Sequence, residues 1–140
     1  MFLDDDYADS AVMGLGDNRG TKSAFIIDDQ HVTVKTIKTA LEAIDISITG
    51  TAFDGEEALE KIATVQTHID YIMLDINMPK RDGISILPEL VKLQPKAKII
   101  MITALGDEER VKQAMSLGAE YYIVKPFTID SLYDALKNIS

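Results

Sequence analysis

Short apolar runs alternate along the chain with segments of helical periodicity, and this alternation restricts the fold more than any other feature. Four runs consist almost wholly of apolar and aromatic residues: 24–27, 72–74, 99–102 and 121–124. Runs of this length are typical of strands that are buried on both faces of a sheet. A fifth segment, 46–52, alternates apolar and polar residues, which predicts a strand at a sheet edge.

Each predicted strand is followed by apolar residues that repeat at helical spacing. The five sets are Val34, Ile37, Leu41 and Ile44; Leu59, Ile62 and Val65; Ile84, Leu87, Leu90 and Val91; Val111, Ala114, Met115 and Leu117; and Leu132, Ala135, Leu136 and Ile139. Asp54 and Glu57 form a start signal for the second helix, and Gly118 ends the fourth. Five strand–helix units in strict order predict an α/β fold, with a doubly wound, five-stranded parallel sheet and helices on both faces.

The first 22 residues differ from the rest, because acidic residues and glycines interrupt every apolar pair. We predict a flexible acidic leader over residues 1–22 and a single domain over residues 23–140. The alternative is that the leader is a short docking segment. Its apolar residues would be Phe2, Leu3, Tyr7 and Met13.

Charge and composition argue against several classes of protein. The net charge of -9 is unfavourable for nucleic-acid binding and for a basic membrane anchor. The chain has no cysteine, so disulfides and thiolate chemistry are excluded. Its acidic start is unlike a signal peptide, and no apolar run is long enough for a membrane helix. We therefore predict a cytoplasmic protein with no nucleic-acid or membrane partner.

Polar side chains stand where the buried strands end. Asp28 and Asp29 follow the first apolar run, and Asp75 follows the second. Thr103 and Lys125 follow the other two. Because the carboxyl ends of parallel strands meet at one edge of a sheet, these residues are predicted to share a pocket with three carboxylates, a hydroxyl and an ammonium.

Such a pocket suits phosphoryl chemistry. Three close carboxylates repel one another, and a divalent cation such as Mg²⁺, which prefers oxygen ligands, relieves that repulsion. One carboxylate can then attack a phosphoryl group, while Lys125 disperses its charge and Thr103 donates a hydrogen bond. Taken singly, the aspartates also fit helix caps or turns, and Lys125 fits a solvated strand end. Their joint occurrence at four strand ends favours the pocket.

Four segments together resemble the signature of response-regulator receiver domains: 26–29, 73–83, 102–104 and 124–127. The resemblance extends from Ala24 to the C-terminus and is closest to the stand-alone chemotaxis regulators of the CheY family. It implies a flavodoxin-like fold with strand order 2-1-3-4-5. It also implies a cis peptide bond between Lys125 and Pro126.

The resemblance assigns roles in the pocket. It implies that Asp75 is the phosphoryl acceptor and that Lys125 pairs with it. The implied Mg²⁺ ligands are the side chains of Asp29 and Asp75 and the backbone carbonyl of Asn77, with Asp28 acting mainly through water.

Two further residues are implied to form a switch. Thr103 moves toward the phosphoryl group on activation, and Tyr122 rotates inward; the alternative for Tyr122 is an ordinary core or edge-strand tyrosine. The resemblance also implies that two positions tune the lifetime of the phosphorylated state: Asn77, two residues after the acceptor, and Leu105, two residues after Thr103. The apolar Leu105 is predicted to shield the acyl phosphate and slow its loss. His31 is interpreted as a first-turn helix residue rather than a metal ligand or phosphorelay histidine, and no role is predicted for His68.

The resemblance implies a switch of a two-component system. A chemotaxis-type histidine kinase would supply the phosphoryl group, the output partner would be a flagellar-motor switch protein, and a phosphatase is a further candidate partner. The chain would catalyse only its own Mg²⁺-dependent phosphorylation and dephosphorylation, so it is not predicted to be an enzyme. The alternative is a phosphorelay intermediate or phosphate sink that passes the group to a histidine phosphotransfer protein.

Two other classes fit the sequence less well. A phosphatase of the haloacid-dehalogenase type needs a second aspartate as general acid, and Asn77 occupies that position. A flavodoxin needs a phosphate-binding first loop rich in Ser, Thr and Gly, whereas Asp28 and Asp29 would repel a phosphate there.

Overall fold

The computed structural model describes residues 21–139, so the alternative docking residues of the leader lie outside the described part of the chain. Five strands alternate with five helices. The strands are β1 (Ser23–Ile27), β2 (Ser47–Ala52), β3 (Tyr71–Asp75), β4 (Lys98–Ala104) and β5 (Tyr121–Lys125). The helices are α1 (His31–Glu42), α2 (Gly55–Ala63), α3 (Gly83–Leu93), α4 (Glu108–Ser116) and α5 (Ile129–Ile139).

All four strand pairs are parallel, and the sheet order is β2-β1-β3-β4-β5. The predicted fold and strand order are therefore confirmed, and β2 lies at a sheet edge. The chain crosses from β2 on one side of β1 to β3 on the other. A crevice forms at such a reversal, beside the carboxyl ends of the two strands.

Two apolar clusters cover the two faces of the sheet. Alternate residues of a strand point to opposite faces, so Phe25 and Ile27 of β1 join one cluster and Ala24 and Ile26 join the other. The first cluster includes residues of α2, α3 and α4, and the second includes residues of α1 and α5. Because both faces are covered, the central strands keep their carboxyl ends in fixed positions. No helix within residues 21–139 is long and apolar enough to cross a membrane.

The local signals for helix ends are largely borne out. Asp54 caps α2 by accepting a hydrogen bond from the Glu57 N–H at 2.8 Å, and Gly118 follows α4 with a φ of 120°. Three of the apolar residues assigned to helices, Ile44, Val65 and Leu117, lie beyond the ends of α1, α2 and α4. Ile44 lies beyond the end of α1 and is 42% exposed, because the chain turns toward β2 through Asp45, whose φ is 64°.

Gln94, at the end of α3, holds the loop before β3 from inside the protein. Its side-chain oxygen accepts a hydrogen bond from the Ile69 N–H at 2.9 Å, and its nitrogen donates to the Thr67 carbonyl at 3.1 Å. We expect Gln94→Leu to lower the free energy of unfolding by about 1–3 kcal/mol, because both loop groups lose their partner. Urea unfolding would measure this. The exposed Gln113→Leu is the control, and equal losses in the two variants would contradict the explanation.

Candidate functional site

The crevice at the carboxyl ends of β1 and β3 brings together three carboxylates. Asp28 directly follows β1, and Asp75 is the last residue of β3. Asp28, Asp29 and Asp75 each present an oxygen within 4.8 Å of the others. Asp28 and Asp75 are buried, whereas Asp29 is exposed. The cluster therefore opens to solvent on the Asp29 side.

Lys125, at the end of β5, places its ammonium among these carboxylates. The Nζ atom lies 3.0 Å from Asp28 Oδ2 and 3.6 Å from Asp75 Oδ2. It also donates a hydrogen bond to Gln30 Oε1 at 2.8 Å. The closest carboxylate is thus that of Asp28 rather than the predicted partner Asp75, and Gln30 is a contact that sequence reasoning missed. The predicted cis Lys125–Pro126 bond is present.

Asp28 has an incomplete set of partners for a fully buried carboxylate. Its Oδ1 accepts a hydrogen bond from the Gln30 N–H at 2.8 Å. Its Oδ2 accepts no hydrogen bond, so the ion pair with Lys125 is its only compensation among the described residues. A buried anionic oxygen in this condition is costly. The three carboxylates of Asp28, Asp29 and Asp75 offer only oxygen ligands, and Asp28 Oδ2 accepts no hydrogen bond. Hard divalent cations prefer oxygen ligands, so these residues suit Mg²⁺.

Burial and the neighbouring Asp28 charge raise the pKa of Asp75 from its ordinary 3.8 to about 7. Asp29 adds to the increase. The Lys125 charge and a hydrogen bond from the Asn77 N–H, at 3.2 Å from Oδ1, oppose it. The Asp75 carboxyl is therefore poised between its two protonation states near neutral pH, and a cation bound beside it favours the ionised form.

The side chain of Asn77 contacts residues at the start of α4. Its Nδ2 donates to Asp107 Oδ2 at 3.1 Å, and its Oδ1 accepts a hydrogen bond from Arg110 Nη1. The Mg²⁺-ligating role predicted for Asn77 concerned its backbone carbonyl, and no contact of its side chain was predicted. Asp107 and Arg110 carry no sequence signal that could have linked them to a residue about thirty positions earlier.

Thr103 and Tyr122, the two predicted switch residues, line one cavity of about 440 Å³. Thr103 is 2% exposed, and Tyr122 is 45% exposed. Leu105, Val111 and Met115 are among the apolar residues that line the same cavity. Leu105 is 86% exposed, so its shielding of a phosphoryl group stays a prediction.

The two histidines lie outside the carboxylate cluster. His31 is the first residue of α1, as interpreted from the sequence, and its ring stacks on Phe53 with centroids 4.0 Å apart. His68 lies in the loop before β3, where its Nε2 is 3.1 Å from Asp70 Oδ1. Neither histidine belongs to the group of possible metal ligands found within residues 21–139.

The response regulator receiver domain family matches residues 24–137, and the chain belongs to this family. It is a CheY-like response regulator, and its receiver domain acts as a two-component signalling switch rather than a metabolic enzyme. The chemotaxis protein CheY of Treponema pallidum is 33% identical over 131 residues, covering 94% of this chain and 91% of its own. CheY of Thermotoga maritima is 34% identical over 119 residues, covering 85% and 98%.

Solved structures agree with the sequence relatives. The CheX–CheY–BeF₃–Mg²⁺ complex from Borrelia burgdorferi contains a chain that is 36% identical, with a TM-score of 0.79, covering 84% of this chain and 88% of that one. A receiver domain protein from Clostridium thermocellum is 32% identical, with a TM-score of 0.75, covering 84% and 92%. Receiver domains bind Mg²⁺ at an acidic pocket, and Asp28, Asp29 and Asp75 form such a cluster here.

Proposed function

We propose that the protein is a phosphorylation-activated messenger of chemotaxis, in which Asp75 accepts a phosphoryl group from a histidine kinase. One observation carries this proposal. Asp75 is a buried carboxylate at the end of β3, with an ammonium at 3.6 Å and two further carboxylates within 4.8 Å. A phosphatase of the haloacid-dehalogenase type would need a general-acid aspartate where Asn77 stands, and a flavodoxin would need a phosphate-binding loop where Asp28 and Asp29 lie.

The proposed transfer is an in-line displacement at phosphorus. A carboxylate oxygen of Asp75 attacks, a new P–O bond forms, the P–N bond of the phosphohistidine breaks, and the histidine nitrogen leaves with the electron pair. Asp75 must be ionised to attack. Burial and the Asp28 charge raise its pKa to about 7 when no metal is bound, and Mg²⁺ bound beside it would favour the ionised form. Bound Mg²⁺ would neutralise charge on the phosphoryl oxygens, held by the side chains of Asp29 and Asp75, the Asn77 carbonyl and, through water, Asp28.

Lys125 has a role before and after the transfer. In the unphosphorylated protein its ammonium compensates Asp28 at 3.0 Å and Asp75 at 3.6 Å. Once Asp75 carries a phosphoryl group, the same ammonium is within reach of the new negative charge and stabilises it. Lys125 is the last residue of β5, and Tyr122 lies in the same strand. A displacement of Lys125 would therefore change the position of Tyr122.

The proposed output is a change on the surface formed by α4, β5 and α5. Thr103 would move toward the phosphoryl oxygens, and the half-exposed Tyr122 would turn into the cavity that both residues line. Phosphorylation would thereby shift an existing equilibrium between two arrangements. The proposed partner for the shifted form is a flagellar-motor switch protein in the cytoplasm, and a phosphatase would return the protein to its resting form.

A phosphorelay intermediate or phosphate sink remains the second candidate function, because the acceptor chemistry would be the same. The two candidates differ in the partner of the phosphorylated protein. A motor switch protein would bind it without removing the phosphoryl group, whereas a histidine phosphotransfer protein would accept the group. Incubating the phosphorylated protein with each partner, and measuring which protein then carries the phosphoryl group, separates the two candidates.

The acceptor is tested by measuring intact mass after incubation with acetyl phosphate and Mg²⁺. We expect the wild type to gain one phosphoryl group and Asp75→Asn to gain none, because the amide cannot act as the nucleophile. Asp130→Asn, an exposed substitution at the start of α5, is the control and should behave like wild type. Chelating the metal should abolish uptake. Uptake by Asp75→Asn, or none by the wild type, would contradict the proposal.

A further inference from the structure

Arg110 of α4 reaches across to the loop that follows the acceptor. Its Nη2 lies 2.9 Å from Asp82 Oδ2, and its Nη1 donates a hydrogen bond to Asn77 Oδ1. The other end of the same carboxamide donates to Asp107 Oδ2 at 3.1 Å. Both polar atoms of the Asn77 side chain are therefore held by residues at the start of α4. We call Asp82, Asp107 and Arg110 the Asn77 clamp.

Asp82, one member of the clamp, is itself held in place by a hydrogen bond from the backbone of α3. Asp82 caps α3, since its Oδ1 accepts a hydrogen bond from the Ser85 N–H at 2.9 Å, and its second oxygen is left for Arg110. A planar guanidinium can hold two acceptors at once, which a lysine ammonium does with less geometric definition. Asp107 stands at the cap position of α4 but makes no side-chain capping bond. Its carboxylate binds Asn77 instead, so this contact is not a by-product of helix capping.

Asn77 is close to the place where phosphoryl chemistry would occur. It follows the acceptor by two residues, and its N–H donates to Asp75 Oδ1 at 3.2 Å. Asn77 is exposed to solvent, and the carboxylate cluster opens to solvent at the exposed Asp29. A carboxamide can both donate a hydrogen bond to a water molecule and accept one from it. Without the clamp, this group would be free to turn toward that opening.

We infer that Arg110 is a positioning residue that prolongs the life of the phosphorylated state by holding the Asn77 carboxamide against α4. The inference rests on the proposed function of Asp75. In the hydrolysis, a water oxygen attacks phosphorus, the bond from phosphorus to the Asp75 oxygen breaks, Asp75 leaves as a carboxylate, and the water proton passes to solvent. A polar group that orients the attacking water accelerates this step, and the clamp holds the Asn77 carboxamide on Arg110 and Asp107 instead.

Loss of Arg110 should not unfold the protein. The ion pair with Asp82 is partly exposed on both sides, and pairs of this kind contribute about 0–1 kcal/mol to stability. A purely structural role for Arg110 would therefore show as a small change in unfolding, with no change in the rate of phosphoryl loss.

The first test follows the decay of phosphorylated protein after the donor is removed. We expect Arg110→Gln to lose the phosphoryl group about three- to tenfold faster than wild type. Arg110→Lys should also be faster, because it keeps the charge but cannot bridge Asn77 and Asp82 in the same way. Lys112→Gln is the matched control. This lysine lies on the same helix, its side chain makes no hydrogen bond or ion pair within residues 21–139, and its loss should leave the decay unchanged.

A double variant tests whether Arg110 acts through Asn77. In an Asn77→Ala background the carboxamide is absent, so adding Arg110→Gln should not change the rate further. Equal rates for wild type and Arg110→Gln would overturn the inference while leaving Asp75 as acceptor. A further acceleration in the double variant would also overturn it, since Arg110 would then act by another route.

A second measurement needs no phosphorylation. The side-chain NH₂ signals of Asn77 in a ¹⁵N-correlated NMR spectrum of the unphosphorylated protein should move in Arg110→Gln and stay in place in Lys112→Gln. Unmoved signals in Arg110→Gln would overturn the clamp itself. If the wild type takes up no phosphoryl group, the proposed function fails, and this spectrum still decides whether Arg110 positions Asn77.

Discussion

Gly83→Ala is expected to lower the free energy of unfolding by about 2–4 kcal/mol and to disturb the acceptor. A Cβ at position 83 would lie 2.3 Å from the carbonyl oxygen of Asp75 and 3.1 Å from the Ile76 Cα. Both contacts are with backbone atoms, and the Gly83 N–H donates a hydrogen bond to the Ile76 carbonyl at 2.9 Å. Neither α3 nor the segment 75–76 can move apart to relieve the overlap without losing this bond. The better helix propensity of alanine returns only about 1 kcal/mol.

Urea unfolding measures the loss, and Gly106→Ala serves as the control. A Cβ at Gly106 would meet no atom within 4 Å, but its φ of 96° makes alanine strained there, at a cost of about 1–2 kcal/mol. The larger loss is expected at Gly83, together with weaker Mg²⁺ binding, because α3 begins against the backbone of Asp75. A Gly83→Ala protein as stable as wild type would show that the acceptor backbone is not held as the structure has it.

Asp75→Asn is expected to stabilise the metal-free protein at neutral and alkaline pH. The pKa of Asp75 is raised in the folded protein from 3.8 to about 7, so the folded state binds this proton more tightly than the unfolded state. Stability from this group is fully present below about pH 4 and is lost as the pH rises to about 7. Asparagine does not titrate, so its advantage should grow across that window and reach the order of 2–4 kcal/mol at pH 8.

Unfolding at pH 4 and at pH 8 in the presence of a chelator measures this difference. Asp130→Asn is the matched control, and its difference from wild type should stay constant with pH. Added Mg²⁺ should stabilise the wild type at pH 8 more than Asp75→Asn, because the variant lacks one ligand. If Asp75→Asn raises the free energy of unfolding by the same amount at both pH values, burial and the Asp28 charge do not raise the pKa of Asp75.

Much of the fold could be predicted from local pattern. Apolar runs and helical spacing predicted all five strand–helix units, because burial on both faces of a parallel sheet demands continuous apolar strands. The gathering of Asp28, Asp29, Asp75 and Lys125 also followed, since parallel strands end at one edge. The strand order rested on resemblance to a family. Ile44 was assigned to a helix wrongly because a left-handed turn at Asp45 has no apolar signature.

The sequence by itself therefore determined the fold class, the edge of the sheet that holds the site and the residue types placed there. Only the tertiary structure decided which of these residues touch. Lys125 pairs most closely with Asp28 and Gln30, which lie about 95 residues earlier, and Arg110 holds Asn77. The physical reason is that such contacts depend on how a helix packs on the sheet and how far a long side chain extends, and neither leaves a periodic trace in the sequence.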